Sequence, residues 1–220
     1  VDDLDEALEL RRAKIKTKIL VFGYTLPSRY REAAQKNISI TISSLEQLRR
    51  FGRSPDSRQG RTSGLKIHLK VDTGLHRQGI SPSEIGRVLK ILLEARGQKL
   101  EAIYSHFAAA ENPENKAHVR FSEKQIREFK TVLEQFRNAG FHPLAHMSGS
   151  AATFLIPEAH FDLVRAGIAV YGLWSSHSSH LVALKRPGGL TIKPALAWKT
   201  VISEVKTVKK GEAVGYDLAE

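Results

Sequence analysis

The sequence predicts an α/β protein built on parallel strands, and three patterns along the chain support this prediction. Short apolar runs alternate with amphipathic segments over six units of roughly 25–40 residues each, which is typical of parallel βα architecture. Helix-start signals precede some of the amphipathic segments, as at Ser44-x-x-Gln47 and Ser81-Pro82-x-Glu84. Polar or glycine-containing segments follow directly after four of the apolar runs. A doubly wound sheet and a (β/α)8 barrel both fit this alternation, so the pattern alone leaves that choice open.

The elements are predicted in order from their apolar spacing. Strands are predicted over 18–23, 38–42, 65–71, 99–105, 142–147 and 163–171. Helices are predicted over 2–13 and 28–35, and after Ser44, Ser81 and Ser122, where Ser122-x-x-Gln125 is interpreted as a capping box. The polar, glycine-rich residues 52–64 are predicted to be a loop.

The domain organisation is predicted from a loss of regularity near Leu173. Residues 1–173 form the βα unit, and residues 174–193, which contain SSHSSH and KRPGG, form a linker. Residues 194–208 alternate in character and are rich in β-formers, so 194–220 are predicted to begin a separate β domain. Six predicted strands are two short of a full barrel, and the missing two are expected before Val1.

The composition excludes several classes of protein and site. The 220 residues contain no cysteine, which excludes disulfides and thiolate chemistry. No apolar run within these residues is long enough for a transmembrane helix, and none has the pattern of a signal peptide, while a targeting segment before Val1 stays open. The net charge of +11 favours anionic partners, but the basic residues are scattered and no nucleic-acid motif accompanies them. We therefore expect a solvated basic surface and no nucleic-acid partner.

Candidate functional residues lie where the predicted strands end, because parallel architectures place their sites there. Lys70 is either an ion-pair partner of Asp72 or a lysine with a modified or weakly basic amine. Arg77 follows a glycine loop and is either a surface residue or a planar donor to an anion. His106 is either packed or catalytic.

Two further strand ends have the features of a phosphate-binding turn. Ser150 follows Gly149 at the start of a predicted helix, where backbone N–H groups and a hydroxyl can hold a phosphate. Arg165, Gly167 and Ile168 form a second such turn, in which glycine permits close backbone approach to a ligand. His177 and His180 lie in a serine-rich segment without a nearby carboxylate, so no metal site is predicted.

Four motifs in register resemble the alanine racemase family, a group of enzymes that use pyridoxal 5′-phosphate (PLP). HLKVDTGLHRQGI (68–80) is similar to HLKxDTGMxRxG, and YSHFAAAE (104–111) to THFAxAD. HMSGSAAT (146–153) is similar to HxANSAAT, and VRAGIAVYG (164–172) to VRxGIxxYG. Residues 4–23 and 193–217 also resemble family segments, so the resemblance covers essentially the whole chain. Gly149 departs from it, since the family usually has asparagine there.

The resemblance implies an incomplete PLP-binding (β/α)8 barrel of the TIM type followed by the start of a C-terminal β domain. It also implies a bacterial, cytoplasmic homodimer whose active sites are shared between subunits. Lys70 matches a lysine that is carbamylated in many members and orients the arginine matched by Arg77, which donates to the cofactor's phenolic oxygen. His106 matches the histidine beside the pyridine ring, and Arg165 matches the arginine facing the pyridine nitrogen. Ser150, Gly167 and Ile168 match phosphate contacts.

The implied reaction is two-base racemisation of L-alanine to D-alanine for peptidoglycan precursors. One base removes the α-proton and the other returns a proton on the opposite face. The lysine that binds PLP is expected before Val1 and the tyrosine base after Glu220, so this chain by itself is expected to be inactive; Tyr216 matches a different tyrosine. A serine/alanine racemase of the vancomycin-resistance type and a non-catalytic PLP-binding barrel are the alternatives.

Overall fold

The computed structural model describes residues 1–53, 64–94 and 99–216. Most of the loop predicted over 52–64 lies outside these described residues. Five parallel strands pair in the order β1-β2-β3-β4-β5, each with its neighbour in sequence. The strands are β1 Ile19–Val21, β2 Ile38–Ile42, β3 Lys66–Lys70, β4 Lys99–Tyr104 and β5 Leu144–His146.

Helices connect these strands and cover one face of the sheet. They are α1 Leu4–Arg12, α2 Tyr30–Gln35, α3 Leu45–Arg53, α4 Ile85–Glu94, α5 Lys116–Asn138, α6 Ser150–Leu155 and α7 His177–Leu184. Short 3₁₀ turns lie at Pro27–Arg29, Pro82–Glu84, Pro157–Ala159 and Ile168–Tyr171. A sheet of strands in sequential order with helical crossovers is a half-barrel, so the prediction of an incomplete (β/α)8 barrel is confirmed.

The two faces of the sheet differ in chemistry because side chains alternate along each strand. On β2, Ile38, Ile40 and Ile42 belong to the apolar core that the helices cover. The intervening Ser39 and Thr41 are buried polar residues on the opposite, inner face. His68, Lys70 and His146 on the neighbouring strands are likewise buried and polar. The alternation therefore builds an apolar layer under the helices and a polar inner face.

The sixth predicted strand, over 163–171, is wrong. Only Leu163 forms a ladder bridge, to His146 of β5, and Ile168–Tyr171 form a 3₁₀ turn. Gly167, with φ −104° and ψ −96°, takes the chain out of the extended region, so the apolar run beyond it cannot continue along β5.

The predicted start of the longest helix is also wrong. α5 begins at Lys116, with the Asn115 side chain accepting hydrogen bonds from the N–H groups of Ala117 and His118. Ser122 and Gln125, interpreted above as a capping box, lie buried inside the helix. The capping interaction at Ser81 is confirmed, since its side chain accepts from the N–H of Ser83.

Regular structure continues past Leu173, within the segment predicted as a linker. Ser176 and Ser179 form a reciprocal capping box that starts α7. The residues described after 193 contain no named strand, and many of their apolar side chains are exposed. The β domain predicted over 194–220, whose last four residues lie outside the described part, stays a prediction.

Among the described residues, no helix combines the length and apolar character needed to cross a bilayer.

Candidate functional site

Two adjoining cavities open where β3, β4 and β5 end. One of about 410 Å³ is lined by residues that follow β3, β4 and β5 and by the segment 165–168, among them Leu75, His106, Gly149, Ser150 and Ile168. A second, of about 400 Å³, lies over the inner face and includes Phe22, Lys70, Gln78 and Tyr104 in its lining. Three residues, Arg77, His106 and Arg165, line both cavities. Volumes of this size are typical of small-molecule sites.

All seven residues singled out from the sequence line these cavities. Arg77 and His106 line both, Lys70 lines the inner cavity, and Ser150, Gly167 and Ile168 line the outer one. Arg165 completes the set at the junction. The structure thus brings together segments that are separated by as many as 98 positions, from Lys70 to Ile168.

Arg165 is the most heavily bonded side chain of the site. Its Nη1 donates to Nδ1 of His146 at 2.7 Å. Its Nη2 contacts Nδ1 of His106 and the carbonyl oxygens of Ser105 and Met147, each at 2.9 Å. Burial lowers the pKa of Arg165 to about 10, which still leaves the guanidinium charged at neutral pH. The strand ends of β4 and β5 therefore hold one cation in a fixed orientation.

Lys70 places a second cation beside Arg165. It is 5% exposed, and its Nζ lies 3.5 Å from Oε1 of Gln78 and 5.8 Å from the centre of the Tyr104 ring. Burial lowers the pKa of Lys70, and the charges of Arg77 and Arg165 lower it further. The predicted alternative of an ion pair with Asp72 is not what forms among the described residues.

Asp72 instead stabilises its own loop. Its carboxylate accepts hydrogen bonds from the backbone N–H groups of Gly74 and His76, each at 3.0 Å, and contacts Nδ1 of His76 at 3.2 Å. Burial would raise its pKa, but these donors hold the pKa of Asp72 below its ordinary value. Lys70, Arg77 and Arg165 are consequently left facing the cavities as positive groups, which favours an anionic ligand.

His106 is a neutral ring in this setting. Burial lowers its pKa to about 4, with the charges of Arg165, Arg77 and Lys70 acting in the same direction. Since a guanidinium can only donate, Nδ1 of His106 must accept from Arg165 and its proton lies on Nε2. A neutral, oriented imidazole suits packing against a ligand ring better than general-acid catalysis at neutral pH.

Ser150 ties the outer cavity together. Its Oγ accepts from the backbone N–H of Gly167 at 2.9 Å and of Ala169 at 3.3 Å, which joins the start of α6 to the 165–171 segment. Gly149, the departure from the family pattern, lies beside His106: a Cβ added there would be 3.3 Å from the His106 Cε1 atom. Glycine at this position therefore leaves space next to the ring.

Gln125 is a site-supporting residue that sequence reasoning misread as part of a capping box. Its Nε2 donates to Oγ1 of Thr73 at 3.2 Å and to the carbonyl oxygen of His106 at 3.1 Å. Its Oε1 accepts from the N–H of Ala108 at 3.1 Å. Gln125 thus joins the ends of β3 and β4 from a helix. The sequence did contain a signal for this role: Gln125 lies four positions before Phe129, which places it on the apolar side of α5.

Comparison with known proteins gives the same family throughout. The family model described as "Alanine racemase, N-terminal domain" matches residues 1–175. The alanine racemase of Desulforamulus reducens is 35% identical over 97% of this chain and 55% of its own length. That of Streptococcus thermophilus is 37% identical over 98% of this chain and 54% of its own length. The chain spans about half the length of the curated relatives it matches.

Solved structures agree with the sequence relatives. The alanine racemase of Bacillus anthracis with bound L-Ala-P covers 100% of this chain and 54% of its own, with a TM-score of 0.79 and 31% identity. The alanine racemase of Clostridium difficile in complex with cycloserine covers 79% of this chain and 46% of its own, with a TM-score of 0.69 and 29% identity. The half-barrel, the four strand-end motifs and a family match over residues 1–175 agree, and this chain belongs to the alanine racemase N-terminal domain family.

Proposed function

We propose that the protein containing this chain is a PLP-dependent alanine racemase. The observation that carries the proposal is the cluster of Lys70, Arg77 and Arg165 around two joined cavities, in a chain of this family. Relatives named alanine racemase, and a relative's structure that holds cycloserine, support alanine as the substrate.

The residues present fit PLP, which offers a phosphate, a phenolic oxygen and a pyridine ring. Ser150, with the backbone of Gly167 and Ile168, would hold the phosphate. Arg77 would donate to the phenolic oxygen, and the neutral His106 ring would pack beside the pyridine. The space beside Gly149, where a side chain would press on His106, agrees with a ligand at this position.

Arg165 would face the pyridine nitrogen. Because it donates to four acceptors and stays charged, it would keep that nitrogen unprotonated and acting as an acceptor. When bound, PLP withdraws electrons from the α-carbon of the amino acid, and an unprotonated ring does so more weakly. We infer that proton transfer by two closely placed bases carries most of the reaction.

Lys70 would act on Arg77 through carbamylation. The lowered pKa of Lys70 increases its share of free amine, which is the form that adds carbon dioxide and releases a proton. The product is an anion, and an anion between Arg77 and Arg165 would neutralise the excess of positive charge and fix Arg77. The two bases, a lysine and a tyrosine, are proposed to lie in the half of the relatives' length that this chain does not span.

The remaining proposals concern assembly. We infer a cytoplasmic homodimer in which the partner subunit supplies the tyrosine base, with residues 194–220 beginning the β domain. The exposed apolar side chains after Pro194 support a covering structure for that segment.

One preparation tests the proposal. The intact protein, purified at its full encoded length, is mixed with PLP, scanned for a yellow band that borohydride abolishes, and assayed for conversion of L-alanine and of L-serine. Racemisation of alanine with a borohydride-sensitive band is the expected result. A band without racemisation would indicate a non-catalytic PLP-binding protein. Faster turnover of serine than of alanine would indicate a serine racemase. The absence of a band would refute the proposal.

A further inference from the structure

A continuous chain of hydrogen bonds leads from Arg165 down the inner face of the half-barrel to a carboxylate. Nδ1 of His146 accepts from Arg165 at 2.7 Å, and Nε2 of His146 lies 3.0 Å from Nδ1 of His68. Nε2 of His68 lies 3.2 Å from Oε2 of Glu101. The four side chains come from β3, β4, β5 and the segment 163–167, so three neighbouring strands hold these hydrogen bonds in place.

The direction of every bond follows from its two ends. A guanidinium has no acceptor, so Nδ1 of His146 must accept and its proton lies on Nε2. That proton can only be donated to Nδ1 of His68, whose own proton therefore lies on Nε2 and is donated to Glu101. The carboxylate at the far end only accepts. All three bonds consequently point from Arg165 towards Glu101.

Burial keeps both rings in the neutral form that this arrangement needs. It lowers the pKa of His146 to about 2, with the charges of Arg165 and His68 acting in the same direction. Burial also lowers the pKa of His68, in spite of the hydrogen bond to Glu101. The ring of His146 is fixed further by stacking on Tyr104, with centroids 4.8 Å apart and planes 5° apart.

Glu101 is held as a charged group at the end of the chain. Its side chain is 9% exposed and accepts a hydrogen bond from Ser39 at 2.7 Å, while Lys18 lies 3.6 Å away. Burial would raise its pKa, but the donors Ser39 and His68 hold the pKa of Glu101 below its ordinary value. A charged acceptor polarises the hydrogen bonds that lead to it, which strengthens each of them.

We propose that Glu101, acting through His68 and His146, is a positioning residue that fixes Arg165 for its role at the pyridine nitrogen. This deepens the proposed function and rests on it. Glu101 lines neither of the two cavities, but its charge makes each imidazole a better acceptor. His68 then accepts more strongly from His146, and His146 from Arg165. The bond from Arg165 to His146, one of four that the guanidinium makes, is thereby strengthened by a network that reaches Glu101.

The test compares Glu101→Gln with Glu46→Gln in the full-length protein. Glu46 pairs with Arg50 on the exposed side of α3 and controls for the loss of a carboxylate elsewhere. The first readout is the pair of imidazole N–H proton resonances of His68 and His146 before PLP is added, assigned by their loss in His68→Gln and His146→Gln. The second is kcat and KM for alanine in the loaded enzyme.

Glu101→Gln is expected to move both resonances to lower frequency. It should reduce kcat by about tenfold with KM little changed, the usual size of effect for one charge-assisted hydrogen bond. Glu46→Gln should change neither. If the resonances do not move, or if they move and kcat is unchanged, the inference is overturned. The proposed function still stands in that case, provided that the wild type racemises alanine. An inactive wild type that binds no PLP would refute the proposed function. The two resonances would then still show whether Glu101 polarises the hydrogen bonds of His68 and His146.

A second variant answers the case in which Glu101→Gln does not fold. Ser39→Ala removes a donor that competes for the Glu101 carboxylate, so the His68–Glu101 bond should strengthen and the His68 resonance should move to higher frequency. A shift of the His68 resonance to higher frequency in Ser39→Ala supports the inference by itself, because general damage would weaken the His68–Glu101 bond. A His68 resonance that stays in place or moves to lower frequency in Ser39→Ala would overturn the inference.

Discussion

At the residue scale, the inner face of the half-barrel depends on neutral histidines. His68, His106 and His146 each accept a hydrogen bond on one ring nitrogen, and for each burial lowers the pKa. A positive ring at any of these positions would leave two donors facing each other. The site is therefore built for pH values at which imidazole is uncharged, and acid should weaken the fold itself.

This gives a prediction for stability against pH. The unfolded chain takes up protons on these rings below pH 6.5, whereas the native rings resist until pH falls to about 4 for His106 and about 2 for His146. The free energy of unfolding should therefore fall as pH decreases, by about 1.4 kcal/mol per pH unit for each ring. Urea unfolding of the wild type and of His106→Gln between pH 7 and 5 checks this. The variant should show a shallower slope, and equal slopes would contradict the assignment of His106 as buried and neutral.

A second residue-scale prediction concerns Ser150. Its hydroxyl holds the 165–171 segment through Gly167 and Ala169, and the proposed function gives it a phosphate contact. Ser150→Ala should raise the dissociation constant for PLP by about tenfold, the effect of one hydrogen bond to a charged group. Fluorescence titration with PLP measures this, with the exposed Ser83→Ala as the matched control. If both variants bind PLP like the wild type, Ser150 is not a phosphate contact.

At the element scale, the sequence predicts strands better than it predicts helix starts. β2 is rich in β-branched residues and β3 alternates apolar with polar ones, and the structure has both strands where they were expected. The start of α5 was misplaced because Ser122 and Gln125 have the spacing of a capping box but lie on the buried side of the helix. α7 was missed because serine-rich segments resemble linkers, although serine is a favoured first residue of a helix.

The start of α5 yields a prediction at this scale. Asn115 satisfies two N–H groups that the first turn of a helix leaves without partners. Asn115→Ala should lower the free energy of unfolding by about 1 kcal/mol, the usual cost of losing such a cap. Asn138→Ala, at the other end of the same helix and exposed, is the matched control and should have little effect. Chemical denaturation measures both, and equal effects would show that the cap does not stabilise α5.

At the scale of the whole molecule, the site is assembled from contacts that no local pattern contains. Lys70, Arg77, His106 and Ser150 were recognisable from the ends of β3, β4 and β5, because parallel strands deliver their carboxyl ends to one edge. Arg165, Gly167 and Ile168 were found through an apolar run that does not form a sixth strand. The partners that orient these residues were not recognisable: Gln125 reaches the site from a helix, and Glu101 acts through His68 and His146 from the far end of β4. Such partners depend on the register between strands, including the irregularity at Ile67 and His68 where β3 pairs with β4.

The last segment carries a prediction for the intact protein. Trp198 is 94% exposed and Ile202 is 82% exposed, whereas Trp174 packs on Phe154 and His180. Large apolar side chains in such a row are normally covered by another structure. If residues 194–220 begin a β domain, Trp198 should be buried in the full-length protein.

In a Trp174→Phe background, which leaves Trp198 as the reporting tryptophan of this chain, its emission and its quenching by iodide distinguish the two states. Blue-shifted, protected emission from full-length protein, against red-shifted, quenchable emission from residues 1–220 alone, is the expected result. Equal quenching in both would mean that nothing covers this segment, and the proposed domain boundary would then be wrong.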